Sequence, residues 1–157
     1  MSRFHEELYR KKGPSHDDLV IRCVSRTGIN KILLDLGMSD KHPDFQWDYE
    51  TEVVCVNRGY KTEFIIGYAD ILLIGHEPGI IPTSSRYWYQ RVSVVIEVKP
   101  KLDDIGSTIR QLKTYERCLR GSCAEFHKVI VTHSQVRDDI KEYLGHEGVL
   151  LVVFEEG

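Results

Sequence analysis

Val92-Ser93-Val94-Val95-Ile96-Glu97-Val98-Lys99-Pro100 is the stretch on which the fold turns. Its near-continuous β-branched content suits a central strand buried on both faces, and Pro100, which cannot donate to a ladder, ends it. Side chains alternate along a strand, so Glu97 and Lys99 point to one face and Val98 to the other. Setting a glutamate and a lysine on so apolar a strand is costly unless they are paired or functional.

Towards the N-terminus, Phe45 to Val56 is rich in aromatic and β-branched residues. Asn57-Arg58-Gly59 reads as a turn and Thr62 to Ile74 as a second strand, which makes a β-hairpin. A loop rich in Gly and Pro, Gly75 to Thr83, leads through Tyr87-Trp88-Tyr89 into the central strand. Further upstream, residues 3 to 12 suit a short charged helix stopped by Gly13-Pro14. Ser15 with Asp18 resembles a capping box opening a longer helix, which Gly28 interrupts or kinks before Gly37 ends it. On the C-terminal side, Asp103 can cap a helix to about Arg120, with Ile105, Ile109, Leu112 and Leu119 on its apolar side and Gly121 closing it. Lys128 to Thr132 then reads as a strand, Gln135 to Leu144 as a helix and Val149 to Phe154 as a last strand. The order α-α-β-β-β-α-β-α-β predicts an α/β sandwich built on a mixed sheet.

The chain has 157 residues, enough for one domain of ordinary size with a real core, and one domain over residues 1–157 is the expectation. Hydrophobic residues make up 41% and charged residues 29%, which excludes a disordered tail or a collagen-like repeat. No apolar run approaches a membrane span, and the start Met1-Ser2-Arg3-Phe4-His5-Glu6 lacks the apolar core of a signal peptide, so a cytoplasmic protein without membrane contact is expected. Cys23, Cys55, Cys118 and Cys123 are irregularly spaced and are expected to be free thiols. The formal net charge of -3 argues against coating nucleic acid by bulk electrostatics, but not against a basic patch beside an acidic metal site.

Asp70 in Gly67-Tyr68-Ala69-Asp70-Ile71-Leu72 lies one strand before Glu97. If the two face the same way, their carboxylates form a hard-oxygen pocket of the kind Mg²⁺ prefers, completed by waters. The following helix carries Gln111 and Tyr115 at i, i+4 on one side. Taken singly, Glu97 and Lys99 read as a plain same-face ion pair and Asp70 as a strand-end residue; the joint arrangement favours chemistry.

Asp70, Glu97-Val98-Lys99 and Gln111-x-x-x-Tyr115, in that element order, resemble the PD-(D/E)XK nuclease superfamily, the last element its RecB-like branch. The resemblance covers about Phe45 to Phe154. It implies a restriction-endonuclease-like three-layer sandwich and a Mg²⁺-dependent deoxyribonuclease, with Mn²⁺ as a substitute. By the resemblance, Asp70, Glu97 and the carbonyl of Val98 would hold metal. Lys99 would steer or deprotonate the attacking water, and Gln111 with Tyr115 would position groups. Phosphodiester hydrolysis needs a polarised phosphoryl oxygen, an activated water and compensation of extra negative charge, which such a set supplies. Ala69 stands where the motif's name has Pro. Many members add a glutamate from the first helix, for which Glu6 and Glu7 are candidates. RecB-like members often carry Gly-x-x-x-His upstream; Gly13-Pro14-Ser15-His16 has a shorter spacing and reads as a helix start.

Lys101, Arg110, Lys113 and Arg117 are candidate contacts to DNA, or an ordinary salt-bridged helix face. Arg86-Tyr87-Trp88-Tyr89-Gln90-Arg91 mixes aromatics and arginines as a base-stacking element would; equally, Trp88 could be core and the tyrosines a dimer surface. One domain has room for one active site, whereas a double-strand cut needs two, so a homodimer with part of its interface on Ile80 to Tyr89 is expected. With no separate targeting domain, specificity falls to loops, the dimer or a protein partner. The competing reading is a non-catalytic nucleic-acid-binding or assembly protein on the same fold.

Overall fold

The computed structural model describes residues 13–58 and 62–155. In chain order its elements are α1 (Gly13–Val24), α2 (Arg26–Asp35), α3 (Met38–Lys41), β1 (Gln46–Arg58), β2 (Glu63–His76), α4 (Ser85–Gln90), β3 (Val92–Val98), α5 (Ile105–Leu119), β4 (Glu125–Thr132), α6 (Asp138–His146) and β5 (Val149–Val153). The expected short helix over residues 3 to 12, with Glu6 and Glu7, lies outside the described residues.

All seven residues of β3 are buried, and it is the middle strand of a five-stranded sheet in the order β1-β2-β3-β4-β5. β1, β2 and β3 run antiparallel, joined by the hairpin and by the segment carrying α4; β3, β4 and β5 run parallel and are joined by α5 and α6. Parallel neighbours require such crossovers, which is why helices cover the sheet where its strands are most apolar. Alternation sorts the core into two halves. Ile71, Leu73, Val94, Ile96 and Val131 pack against Leu19 and Cys23 of α1 and Ile32 and Leu33 of α2. Leu72, Ile74, Val95 and Ile130 pack against Ile109, Leu112 and Tyr115 of α5 and Leu144 of α6. The result is the expected three-layer α/β sandwich with a mixed sheet.

Several boundaries differ from the sequence reading for identifiable reasons. The first helix begins at Gly13 rather than at Ser15, and its break falls at Ser25, not Gly28. The Ser25 side chain accepts from Gly28 N at 3.1 Å and so caps α2. Gly28 instead permits close approach, since a Cβ there would lie 2.0 Å from the carbonyl oxygen of Arg22. Asp104 rather than Asp103 caps α5, accepting from Ser107 N at 3.0 Å. The aromatic run expected in a loop forms α4, capped by Ser84. Within α4, Tyr87 is the buried ring while Trp88 and Tyr89 are exposed, which reverses the alternative that made Trp88 core. Among the described residues no helix is long and apolar enough to cross a membrane.

Candidate active site

The β2–β3 ladder ends at the pair Ile71–Ile96. The next backbone donor along β3, Val98 N–H, is satisfied by a side chain: it donates to Asp70 Oδ2 at 2.8 Å in a buried position. On the other side of Asp70, the β1–β2 ladder steps from Thr51–Ile71 to Val53–Ala69, with Glu52 between them in the left-handed region at φ 53°. Asp70 therefore sits where the strand pairing is interrupted on both flanks, and its carboxylate stands in for a ladder partner.

Glu97 is fully buried, and by alternation with Val95 it belongs to the α5 side of β3. Lys99 follows two residues on and brings Nζ to 3.9 Å from Glu97 Oε1, with about a third of its side chain exposed. Tyr115 of α5 is buried beneath them, and its hydroxyl donates to the carbonyl of Tyr68 at 2.9 Å. Burial, then the charges of Glu97 and Asp70, push the Tyr115 hydroxyl well above its ordinary pKa, while a hydrogen bond from Gln111 opposes them. Both carboxylates thus act on one buried hydroxyl, and the structure brings Asp70, Glu97, Lys99, Gln111 and Tyr115 together at one end of the central strands.

The residue missing from the sequence reading is His16. It projects from α1 in the opposite layer, is 2% exposed and places Nε2 3.0 Å from Asp70 Oδ1. Its Nδ1 lies 3.2 Å from Asp17 Oδ1. Both ring nitrogens thus face carboxylate oxygens, Nδ1 that of Asp17 and Nε2 that of Asp70. The signal was present in the pattern: His16, Leu19 and Cys23 share the i, i+3, i+7 spacing of the buried face of α1.

The donor set of two carboxylates, one imidazole and the nearby Val98 backbone is oxygen-rich and suits a hard divalent cation. Among the described residues, no three or more His, Cys, Asp or Glu side chains form a group that could hold an ion by themselves.

The four candidate cations diverge. Lys101 and Arg110 are exposed near the N-terminal end of α5, Lys113 is held by Glu147 at 2.8 Å, and Arg117 donates to Thr114 Oγ1 at 3.3 Å further along the helix. Of the four free cysteines, Cys23 and Cys55 have thiols pushed up to about 12 by burial, too weakly acidic to serve as nucleophiles.

No family model matches the chain, and no curated protein matches it. Among solved structures, protein VC1899 from Vibrio cholerae matches 78% of this chain with 16% identity and a TM-score of 0.46. A repair endonuclease from Pyrococcus abyssi matches 85% with 14% identity and a TM-score of 0.40, and EndoMS in a complex with double-stranded DNA matches 82% with 17% identity and a TM-score of 0.39. The matched part spans 28%, 48% and 44% of those chains respectively. The case for function therefore stands on this chain's own residues.

Proposed function

We propose that the protein is a Mg²⁺-dependent deoxyribonuclease, hydrolysing phosphodiester bonds by attack of a metal-activated water. The observation that carries this reading is the buried cluster in which His16 Nε2 lies 3.0 Å from Asp70 Oδ1, beside the fully buried carboxylate of Glu97. Asp70, Glu97, the Val98 carbonyl and, in addition to the sequence reading, His16 would hold the ion. Bound there, Mg²⁺ or Mn²⁺ would polarise a phosphoryl oxygen and lower the pKa of a coordinated water.

Asp17 fixes the His16 ring through Nδ1, in the way outer-shell partners orient metal-ligating imidazoles. Val98 N–H fixes Asp70 through Oδ2, which leaves Oδ1 turned towards His16. Lys99, partly exposed and close to Glu97, would meet the water and the incoming phosphate and offset the charge that develops on it. Tyr115 stays protonated, with its proton directed at the Tyr68 carbonyl, so it serves as a positioning residue for Gln111 and not as an acid.

DNA is the proposed substrate and a two-fold homodimer the proposed assembly, since a pair of sites related by two-fold symmetry suits strands of opposite polarity. Exposed Ile81 and Tyr89, within the segment expected at the interface, are the apolar surface a second copy would cover. The test is a cleavage panel of linear, circular, single-stranded and branched DNA with Mg²⁺ or Mn²⁺, alongside calorimetric metal titration of the wild type, Asp70→Asn and His16→Ala. Cleavage with metal binding that either substitution abolishes supports the reading. A wild type that neither binds metal nor cuts is the non-catalytic scaffold.

A further inference from the structure

Away from the carboxylates, α5 and the β1–β2 hairpin enclose a groove of about 900 Å³, a size in the range of small-molecule and nucleotide sites. Leu72 and Ile74 lie on its wall, as do Val53 and Thr114. Trp88, Arg91 and Arg117 line it too. The groove and the carboxylate site share elements: Leu72 and Ile74 follow Asp70 on the same face of β2, and Thr114 precedes Tyr115 on α5. Four residues of strand rise separate Asp70 from Ile74 by about 13 Å, a distance a few nucleotides can bridge.

Arg91 is the observation that asks for a ligand. It is 8% exposed, it lines the groove, and its Nε makes no hydrogen bond. Its guanidinium sits 4.2 Å from the centroid of the Trp88 ring, and that π-face is a weak substitute for a carboxylate. The acidic side chains around α5 are engaged elsewhere, Glu116 by Arg120 and Lys128, and Glu147 by Lys113. Glu50, exposed, is the one carboxylate on the groove's lining among the described residues, against two arginines. A buried guanidinium, a second and exposed arginine, an aromatic ring set edge-on to Tyr87 and an apolar wall suit a nucleotide: phosphate on the arginines, base against Trp88 and the aliphatic wall.

We infer that this groove is a second nucleic-acid subsite, binding unpaired nucleotides of the strand that runs on from the carboxylate site. The inference rests on the nuclease reading for its choice of a strand over a free nucleotide. Duplex would be refused, because stacking on Trp88 requires a base free of its own neighbours.

Binding is read apart from cleavage by titrating the whole protein in EDTA at low salt with a short oligothymidylate, following tryptophan emission and, in parallel, anisotropy of a labelled strand. Saturable binding is expected, weakened about tenfold in Trp88→Ala by loss of stacking and about tenfold in Arg117→Ala by loss of a phosphate contact. Arg117 is exposed, so that variant keeps the test valid if Arg91→Met fails to fold. Thymidine monophosphate and inorganic phosphate are run as competitors, and a blunt duplex as a second probe. Unchanged affinity in both Trp88→Ala and Arg117→Ala overturns the subsite while leaving the nuclease reading intact if DNA is cut. Duplex binding as tight as the single strand, or displacement of the strand by phosphate alone at equal concentration, overturns its assignment to unpaired nucleotides. Groove-dependent strand binding by a protein that cuts nothing with Mg²⁺ supports the subsite and removes the nuclease.

Discussion

Replacing Asp70 by asparagine and, separately, by alanine divides its structural duty from its chemical one. In the wild type, Oδ2 accepts from the buried Val98 N–H at 2.8 Å, and Oδ1 faces His16. Asparagine keeps an amide oxygen for Val98 and removes a charge from beside Glu97, so metal-free stability should not fall. Alanine leaves Val98 N–H buried without an acceptor, at a cost of about 2 kcal/mol. For a domain of this size that is a fall in Tm of about 4–8 °C. Scanning calorimetry in EDTA should therefore order the three proteins as Asp70→Asn equal to or above wild type, with Asp70→Ala clearly below. Mg²⁺ at about a hundred times its Kd should then stabilise the wild type by about 2.7 kcal/mol and neither variant, and both variants should lack cleavage. Alanine and asparagine variants that melt together in EDTA would refute the structural role. A full Mg²⁺ shift in Asp70→Asn would refute the role as ligand.

Glu97→Gln and Lys99→Ala should each abolish cleavage with circular dichroism unchanged, whereas Gln111→Ala should slow it without eliminating it; a wild-type rate in any of the three removes that residue from the site. Gly28→Ala should destabilise by at least ~2 kcal/mol in urea, because its Cβ would meet the Arg22 carbonyl at 2.0 Å and the two backbones must part. Burial alone would raise the Glu125 pKa, but hydrogen bonds from Lys41, His127 and His42 outweigh it and hold the carboxyl at about 2. Those pairs add stability that is fully present above the unfolded value near ~4.3 and is lost as pH falls towards the folded one, so Lys41→Ala should shift the acid-unfolding midpoint upward. Light scattering at micromolar concentration should give twice the monomer mass, reduced by Ile81→Ser with Tyr89→Ser; a monomer would favour an end-dependent or single-strand nuclease.

Where local chemistry and tertiary demand agreed, the sequence was readable. The strand Val92 to Val98 needs burial on both faces, and its composition says so, which placed the sheet's centre and with it Glu97. Asp70 could be named because an acid in an apolar strand is conspicuous. The aromatic run at 87–89 read as loop because it follows a Gly- and Pro-rich segment, whereas a Ser84 cap and the burial of Tyr87 tip six residues into a helix. His16 was missed for a different reason. Its spacing with Leu19 and Cys23 marks it as buried, but its neighbour across space is 54 positions away in the chain, in another layer, and nothing local tells a histidine aimed at a carboxylate from one satisfied in the core. Arg91 shares that fate: its burial against Trp88 is a property of the groove and not of the hexapeptide that carries it.

The exchange of a ladder bond for a side-chain bond at Val98 has a consequence for reading descendants of this sequence. A chain that ceased to cut DNA would still need an acceptor at position 70 to close the end of its central strands, so an aspartate or asparagine there would survive the loss of activity. Glu97 closes no ladder in this way, and a charge sealed in a central strand is costly to a fold that has no chemistry for it. Inactive copies would therefore be recognised by an apolar residue at 97 and not by the state of position 70, and a survey guided by the aspartate alone would count them as enzymes.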